Sequence, residues 1–113
     1  MQFLIIGKDG NDKKATERRM AAREAHLKLG DQMKASGERW YGSVLLDDYG
    51  KMVGSMAVMD FPSEKELKEY LGKEPYVIGK VWKNIEIYKC NVKNPWKFNR
   101  PESFFKTREE LNK

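Results

Sequence analysis

The chain holds one cysteine, Cys90, and one histidine, His26, among its 113 residues. A single thiol cannot close an intrachain disulfide or build a thiolate metal cluster, which fits a reducing, cytoplasmic setting. One imidazole with scattered acids is too little for a transition-metal site, so neither a metal nor a cofactor is expected. Long apolar runs are missing as well. No run exceeds the four residues of Phe3-Leu4-Ile5-Ile6, which falls far short of the ~20 residues of a membrane span. It has no basic stretch before it and no small-residue cleavage site after it, so no signal peptide is read. Nor does one sign of charge dominate: 22 Lys and Arg face 17 Asp and Glu, a net +5. Nucleic-acid binders gather Lys and Arg on one face with little acid between them. Here acids interleave with bases, and no nucleic-acid partner is expected.

What is present suffices for one packed domain. Hydrophobic residues make up 40 % of the chain and aromatics 12 %, and a chain of this length buries roughly two-thirds of its unfolded surface. Residues 2–6 are apolar and end at Gly7, which reads as a buried strand followed by a polar loop over Lys8 to Asn11. Residues 12–36 read as a long helix, with Asn11 or Asp12 as its cap and Gly37 in the left-handed position after its end. At 100° per residue, Ala15, Ala22, His26, Leu29 and Met33 share a narrow arc, with Arg19 at its edge and Arg23 one step further round. Residues 39–46 and 51–61 read as an antiparallel hairpin joined by Asp47-Asp48-Tyr49-Gly50. Pro62-Ser63-x-x-Glu66 opens a second, short helix over about 64–71, ended by Gly72. A turn through Lys73-Glu74-Pro75-Tyr76-Val77 leads to a last strand within 80–90.

The order β-α-β-β-α-β predicts an α+β fold, a ferredoxin-like sandwich with both helices on one face of a four-stranded antiparallel sheet. The open sheet face, apolar or small along its strands, is expected to pair with a second copy. The domain is read as residues 1–92. Residues 93–113 change character: Trp96, Phe98, Phe104 and Phe105 accompany six Lys or Arg and three Glu. This aromatic, basic extension is expected to form a short helix after Pro101 and to lie across the domain or a partner subunit.

Chemistry can reside at few places. His26 lies on the helix face that must turn to the sheet, and an imidazole there suits acid–base work. Arg19 and Arg23, seven and three residues earlier, reach the same region and can hold an anionic group. A buried histidine bonded to a carbonyl or carboxylate for packing alone is the other reading. Glu74 precedes Pro75, which holds it extended. There it is either an orienting partner for a histidine, with the Tyr76 hydroxyl nearby, or a solvated acid in an ordinary loop. Ser43 and Ser55 lack any triad-type motif. The methionines Met52, Met56 and Met59 read as core or interface.

Taken together, these motifs resemble the YCII-related (YciI-like) family. Arg23-Glu-Ala-His26-Leu, with Gly37 eleven residues later, resembles that family's Arg-x-x-His-Leu helix. Gly42-Ser43, Leu46-Asp47-Asp48-x-Gly50 and Gly54-Ser55 are similar to its hairpin, and Asp60-Phe-Pro-Ser63 to the start of its second helix. Glu74-Pro-Tyr76-Val, then Val81-Trp82 and Ile85-Glu-Ile87, is similar to its Asp-Pro-Tyr/Phe segment and last strand. The likeness spans roughly residues 2–90. It implies a dimeric α+β barrel, a homodimer joined through its sheet faces, and a cleft with a His and an Asp as the proposed catalytic pair. By position these are His26 and Glu74, with Arg19, Arg23, Ser43 and Tyr76 as substrate-binding candidates. The family is related to muconolactone-isomerase-like proteins, and one branch removes chloride from chlorinated hydroquinones. Glu74 departs from the family's Asp by one methylene. Two functions follow as expectations: a general acid–base lyase or isomerase acting on a small phenolic or anionic molecule, or a non-catalytic dimeric module binding a small ligand or a protein.

Overall fold

The computed structural model describes residues 1–93. The expectations for the aromatic extension lie outside these residues, Lys93 excepted. Elements follow in the order β1 (Gln2–Asp9), α1 (Ala15–Ala35), β2 (Arg39–Leu46), β3 (Met52–Asp60), α2 (Glu64–Lys73), α3 (Pro75–Ile78) and β4 (Trp82–Cys90). The four strands form one sheet in the order β2-β3-β1-β4, every neighbouring pair antiparallel. This is the ferredoxin-like arrangement read from the element order. No helix among the described residues is long and apolar enough to cross a membrane.

Alternation along the strands decides which residues meet the helices. Phe3 and Ile5 of β1 stand opposite Met59 and Ala57 of β3, and all four are buried. With Met33 of α1, Phe61 before α2, Leu67 and Tyr70 of α2, Tyr76 of α3, Val81, and Trp82 at the start of β4, they make up the core. The intervening residues, Leu4, Ile6, Met56 and Val58, fall on the other face and stay half-buried in the single chain.

Three local expectations need correction. The first strand does not stop at Gly7. It runs to Asp9, because Gly7 pairs with both Ser55 and Ile85 and its missing side chain makes room for the Trp82 indole. Any Cβ at Gly7 would collide with that ring, so the glycine marks a close approach rather than a strand end. The first helix starts at Ala15 and not at residue 12. Asp12 caps a preceding turn instead: its carboxylate accepts from the Lys14 N–H at 3.3 Å and its carbonyl from the Ala15 N–H at 3.1 Å. The second helix continues through Gly72 to Lys73, and the stretch read as a turn contains the helical turn α3. Pro75 at the first position of α3 has no N–H to leave unpaired, which favours this start.

The helix ends follow the expected physics. Gly37 has φ +87°, and the N–H groups of Gly37 and Glu38 bond back to the carbonyls of Lys34 and Met33, closing α1 in a Schellman-type turn. Ser63 caps α2 by accepting from the Lys65 N–H at 3.3 Å, while its hydroxyl donates to Glu66. Glu66 thus reaches the cap side chain, where a capping box would have it bond the cap's backbone N–H.

Candidate functional site

Among the described residues, α1 brings two buried side chains, each bonded to a carboxylate, to one end of the layer between helices and sheet. His26 is the first. Its Nδ1 lies 2.5 Å from Oε1 of Glu74, and their side chains are 8 % and 1 % exposed. Glu74 sits between α2 and α3 with extended backbone, as the following proline requires. Its carboxylate takes two further donors: the Tyr70 hydroxyl on Oε2 at 2.5 Å and the Tyr76 N–H on Oε1 at 3.1 Å. Burial pushes the Glu74 carboxyl up, but the hydrogen bonds from His26 and Tyr70 more than offset it and hold the group below the ordinary glutamate value. A carboxylate here can only accept. The hydrogen on the contact therefore belongs to His26 Nδ1, which leaves Nε2 as the ring's free position. Nε2 makes no hydrogen bond among the described residues. The longer glutamate side chain thus does reach the imidazole.

The imidazole is also fixed in plane. Its ring stacks on Tyr76 at 3.8 Å between centroids and 10° between planes, and Trp82 meets it edge-on at 6.1 Å. Stacking and a single carboxylate partner together leave the ring one orientation, the preorganisation that a proton-transfer group needs.

Arg19 is the second. The helical arc placed it at the rim, yet it is 3 % exposed. Its guanidinium donates to Asp9 at 2.6 and 3.1 Å, to the Ser55 hydroxyl at 2.8 Å and to the Tyr76 hydroxyl at 3.3 Å. Such a charge survives burial only because it is paired and hydrogen-bonded. Asp9, expected in the loop after the first strand, instead ends β1; the signal for it in the sequence is an acid at the end of an apolar strand facing a helical arginine. The Trp82 indole N–H also donates to Ser55, at 3.2 Å. Burial raises the Tyr76 phenol above its usual value, and the positive charges of Arg19 and Arg23 act against that rise.

These groups border a cavity of about 240 Å³, lined by Arg19, Arg23, His26, Arg39, Ser43, Ser55 and Tyr76 with the apolar Leu27, Val44 and Met52. It is smaller than the roughly 300–1,000 Å³ of a drug-sized pocket. Arg23 is exposed at its mouth, with no hydrogen bond or ion pair among the described residues. Ser43 contributes least. Its hydroxyl donates to the Val44 carbonyl at 3.2 Å, and its pairing with Met56 assigns its side chain to the open sheet face. Sequence reasoning missed Asp9, Tyr70 and Arg39 as members of this end of the molecule. No group of three or more His, Cys, Asp or Glu residues that could hold a metal ion occurs among the described residues.

Comparison with known proteins agrees with this architecture. No curated protein matches the chain. Among solved structures it is similar to the 5-chloro-2-hydroxyhydroquinone dehydrochlorinase of Burkholderia phenoliruptrix, determined in complex with 2,5-dihydroxybenzoquinone. The two share 22 % identity and superpose with a TM-score of 0.71, over 83 % of this chain and 97 % of that one. This is a likeness of fold. The model of the YCII-related domain matches residues 1–96, most of the chain, and motifs, topology and match agree: the chain belongs to the YCII-related domain family.

Proposed function

We propose that the protein is a general acid–base catalyst of lyase or isomerase type acting on a small phenolic or anionic molecule. The observation that carries this is the 2.5 Å contact between His26 Nδ1 and Glu74, buried, saturated with donors and beside a cavity. In this reading Nε2 of His26 takes the substrate's proton, and Glu74 stabilises the imidazolium that forms. In an elimination, the electron pair of the broken bond to hydrogen closes the new π bond, and an anion such as chloride leaves the adjacent carbon. In an isomerisation, His26 returns the proton to a second carbon. Arg23 holds negative charge at the mouth. Arg19, neutralised by Asp9, positions the Tyr76 hydroxyl. The dehydrochlorinase of similar fold supports a small phenolic substrate. The half-buried apolar face bearing Leu4, Ile6, Met56 and Val58 supports a homodimer joined sheet to sheet.

Turnover is to be screened on chlorinated hydroxyhydroquinones and unsaturated lactones in deuterated water. The reading expects conversion or solvent-deuterium incorporation by the wild type. His26→Gln is expected to lower the rate by about 10²–10⁴-fold while remaining folded. Equal rates for the two proteins would refute proton transfer through His26 and leave a ligand-binding module. Sedimentation of the wild type against Ile6→Asp tests the dimer, with a monomeric wild type as the contrary result.

A further inference from the structure

Arg39 belongs to no motif, yet the local structure is shaped around it. The β2–β3 register runs Arg39 to Met59, then Tyr41 to Val58 and Gly42 to Ala57. Trp40 is therefore an extra residue, a bulge. In a regular strand, residues 39 and 42 would point to opposite faces. The bulge brings both to the face of Met59 and Ala57, beneath α1. There the Arg39 guanidinium lies against the backbone of Gly42, and against Gly30 of α1, so closely that a Cβ at either glycine would overlap it. Gly30 interrupts a 21-residue helix, where glycine is disfavoured relative to alanine. Two glycines and a bulge thus make one slot for one guanidinium.

That guanidinium is half-buried, lines the cavity holding His26, and has no hydrogen bond or ion pair among the described residues. Arg39 also lines the neighbouring depression together with Asp31, with which it forms no ion pair. Of the three arginines lining the cavity, Arg19 is matched by Asp9. Arg23 and Arg39 are unmatched, and none of the lining residues is an acid. An unmatched planar fork held in a fixed slot suits a planar oxyanion, to which it can donate two parallel hydrogen bonds.

We infer that Arg39 is the anion anchor of this cavity, with Arg23 as its outer partner, and that the ligand carries a delocalised oxyanion at the end that meets Arg39, one helical turn of α1 beyond His26. The chemistry fits a ring-borne carboxylate or an acidic enol or phenol. The inference rests on the acid–base reading for which site is meant, but its test reads binding alone.

Isothermal titration is to be run with benzoate, with 2,5-dihydroxybenzoquinone as the acidic enol, and with 2,5-dimethoxybenzoquinone as the uncharged control. The wild type is expected to bind at least one anion more tightly than the control, and which anion does so identifies the oxyanion class. Arg39→Gln should weaken that anion by about tenfold to a hundredfold, Arg39→Lys by less, and the control should not change. Gly42→Ala, which displaces the guanidinium without removing it, should weaken the anion too, and should leave the histidine resonances of His26 in place. Arg39→Gln binding the anion within twofold of wild type would overturn the inference, as would a wild type that prefers neither anion to the control. His26→Gln should retain anion binding. A loss of turnover in that variant with anion affinity intact separates the fate of this inference from that of the proton-transfer reading.

Discussion

The two ends of the layer between helices and sheet are built on opposite terms. At one end Phe3, Met59, Phe61 and Leu67 pack without a charge among them. At the other, within the same sheet, α1 buries Arg19 and His26 against Asp9 and Glu74. The apolar end gains stability roughly in proportion to the area it hides. The polar end must first offset the desolvation of four ionisable groups, and apolar replacements of similar volume would serve the fold as well or better. What the polar end has, and the apolar end lacks, is an oriented imidazole beside open space. A fold does not need that arrangement; proton transfer does.

The contrast can be broken by mutation. The largest loss of stability is expected from Asp9→Ala, which strands a buried guanidinium and should cost about 3–5 kcal/mol in urea unfolding. Asp9→Leu combined with Arg19→Met should recover much of that loss. If the double variant proves no better than the single, the pair is contributing net stability and the contrast between the two ends fails. Next comes the apolar end. Met59, fully buried, should cost about 2–5 kcal/mol when cut to alanine, with no second change able to rescue it by charge.

Acid should act on the polar end alone. Glu74 is held below its ordinary value of 4.5, so the stability it contributes is fully present above that value and is lost as pH falls through the lower folded value. Glu74→Gln should be less stable at neutral pH and show a shallower fall of stability in acid than the wild type. Parallel acid limbs would mean that the carboxylate gains nothing from its donors. The smallest effect lies away from both ends: Ser63→Ala removes the α2 cap and should cost about 1 kcal/mol, without any change at His26.

Much of this molecule is legible from residue order, and the boundary of what is legible has physical causes. The strands announce themselves by alternation, and His26 falls on the buried arc of α1 because helical period alone puts it there. Glu74 is locatable because Pro75 restricts it. Asp9 is not, since a glycine two residues earlier normally marks a strand end, and only the Trp82 ring lying on Gly7 shows why the strand continues. Tyr70 meets Glu74 because α2 extends past Gly72, a propensity cost that tertiary contact outweighs. Arg39 points into the cavity because of a one-residue bulge, and a register shift leaves no mark in a pattern of apolar and polar residues. Single elements are therefore readable, and the His26–Glu74 pair by resemblance, whereas Asp9 and Tyr70, the other partners that buried groups find across elements, are not.

In the proposed mechanism Glu74 holds the proton of His26 on Nδ1 and turns a bare Nε2 to the cavity. Nitrogen-15 NMR of the lone histidine, recorded at a pH where the ring is neutral, reads this directly. The Nδ1–H tautomer is expected in the wild type and its loss in Glu74→Gln. An Nε2–H tautomer in the wild type would contradict it.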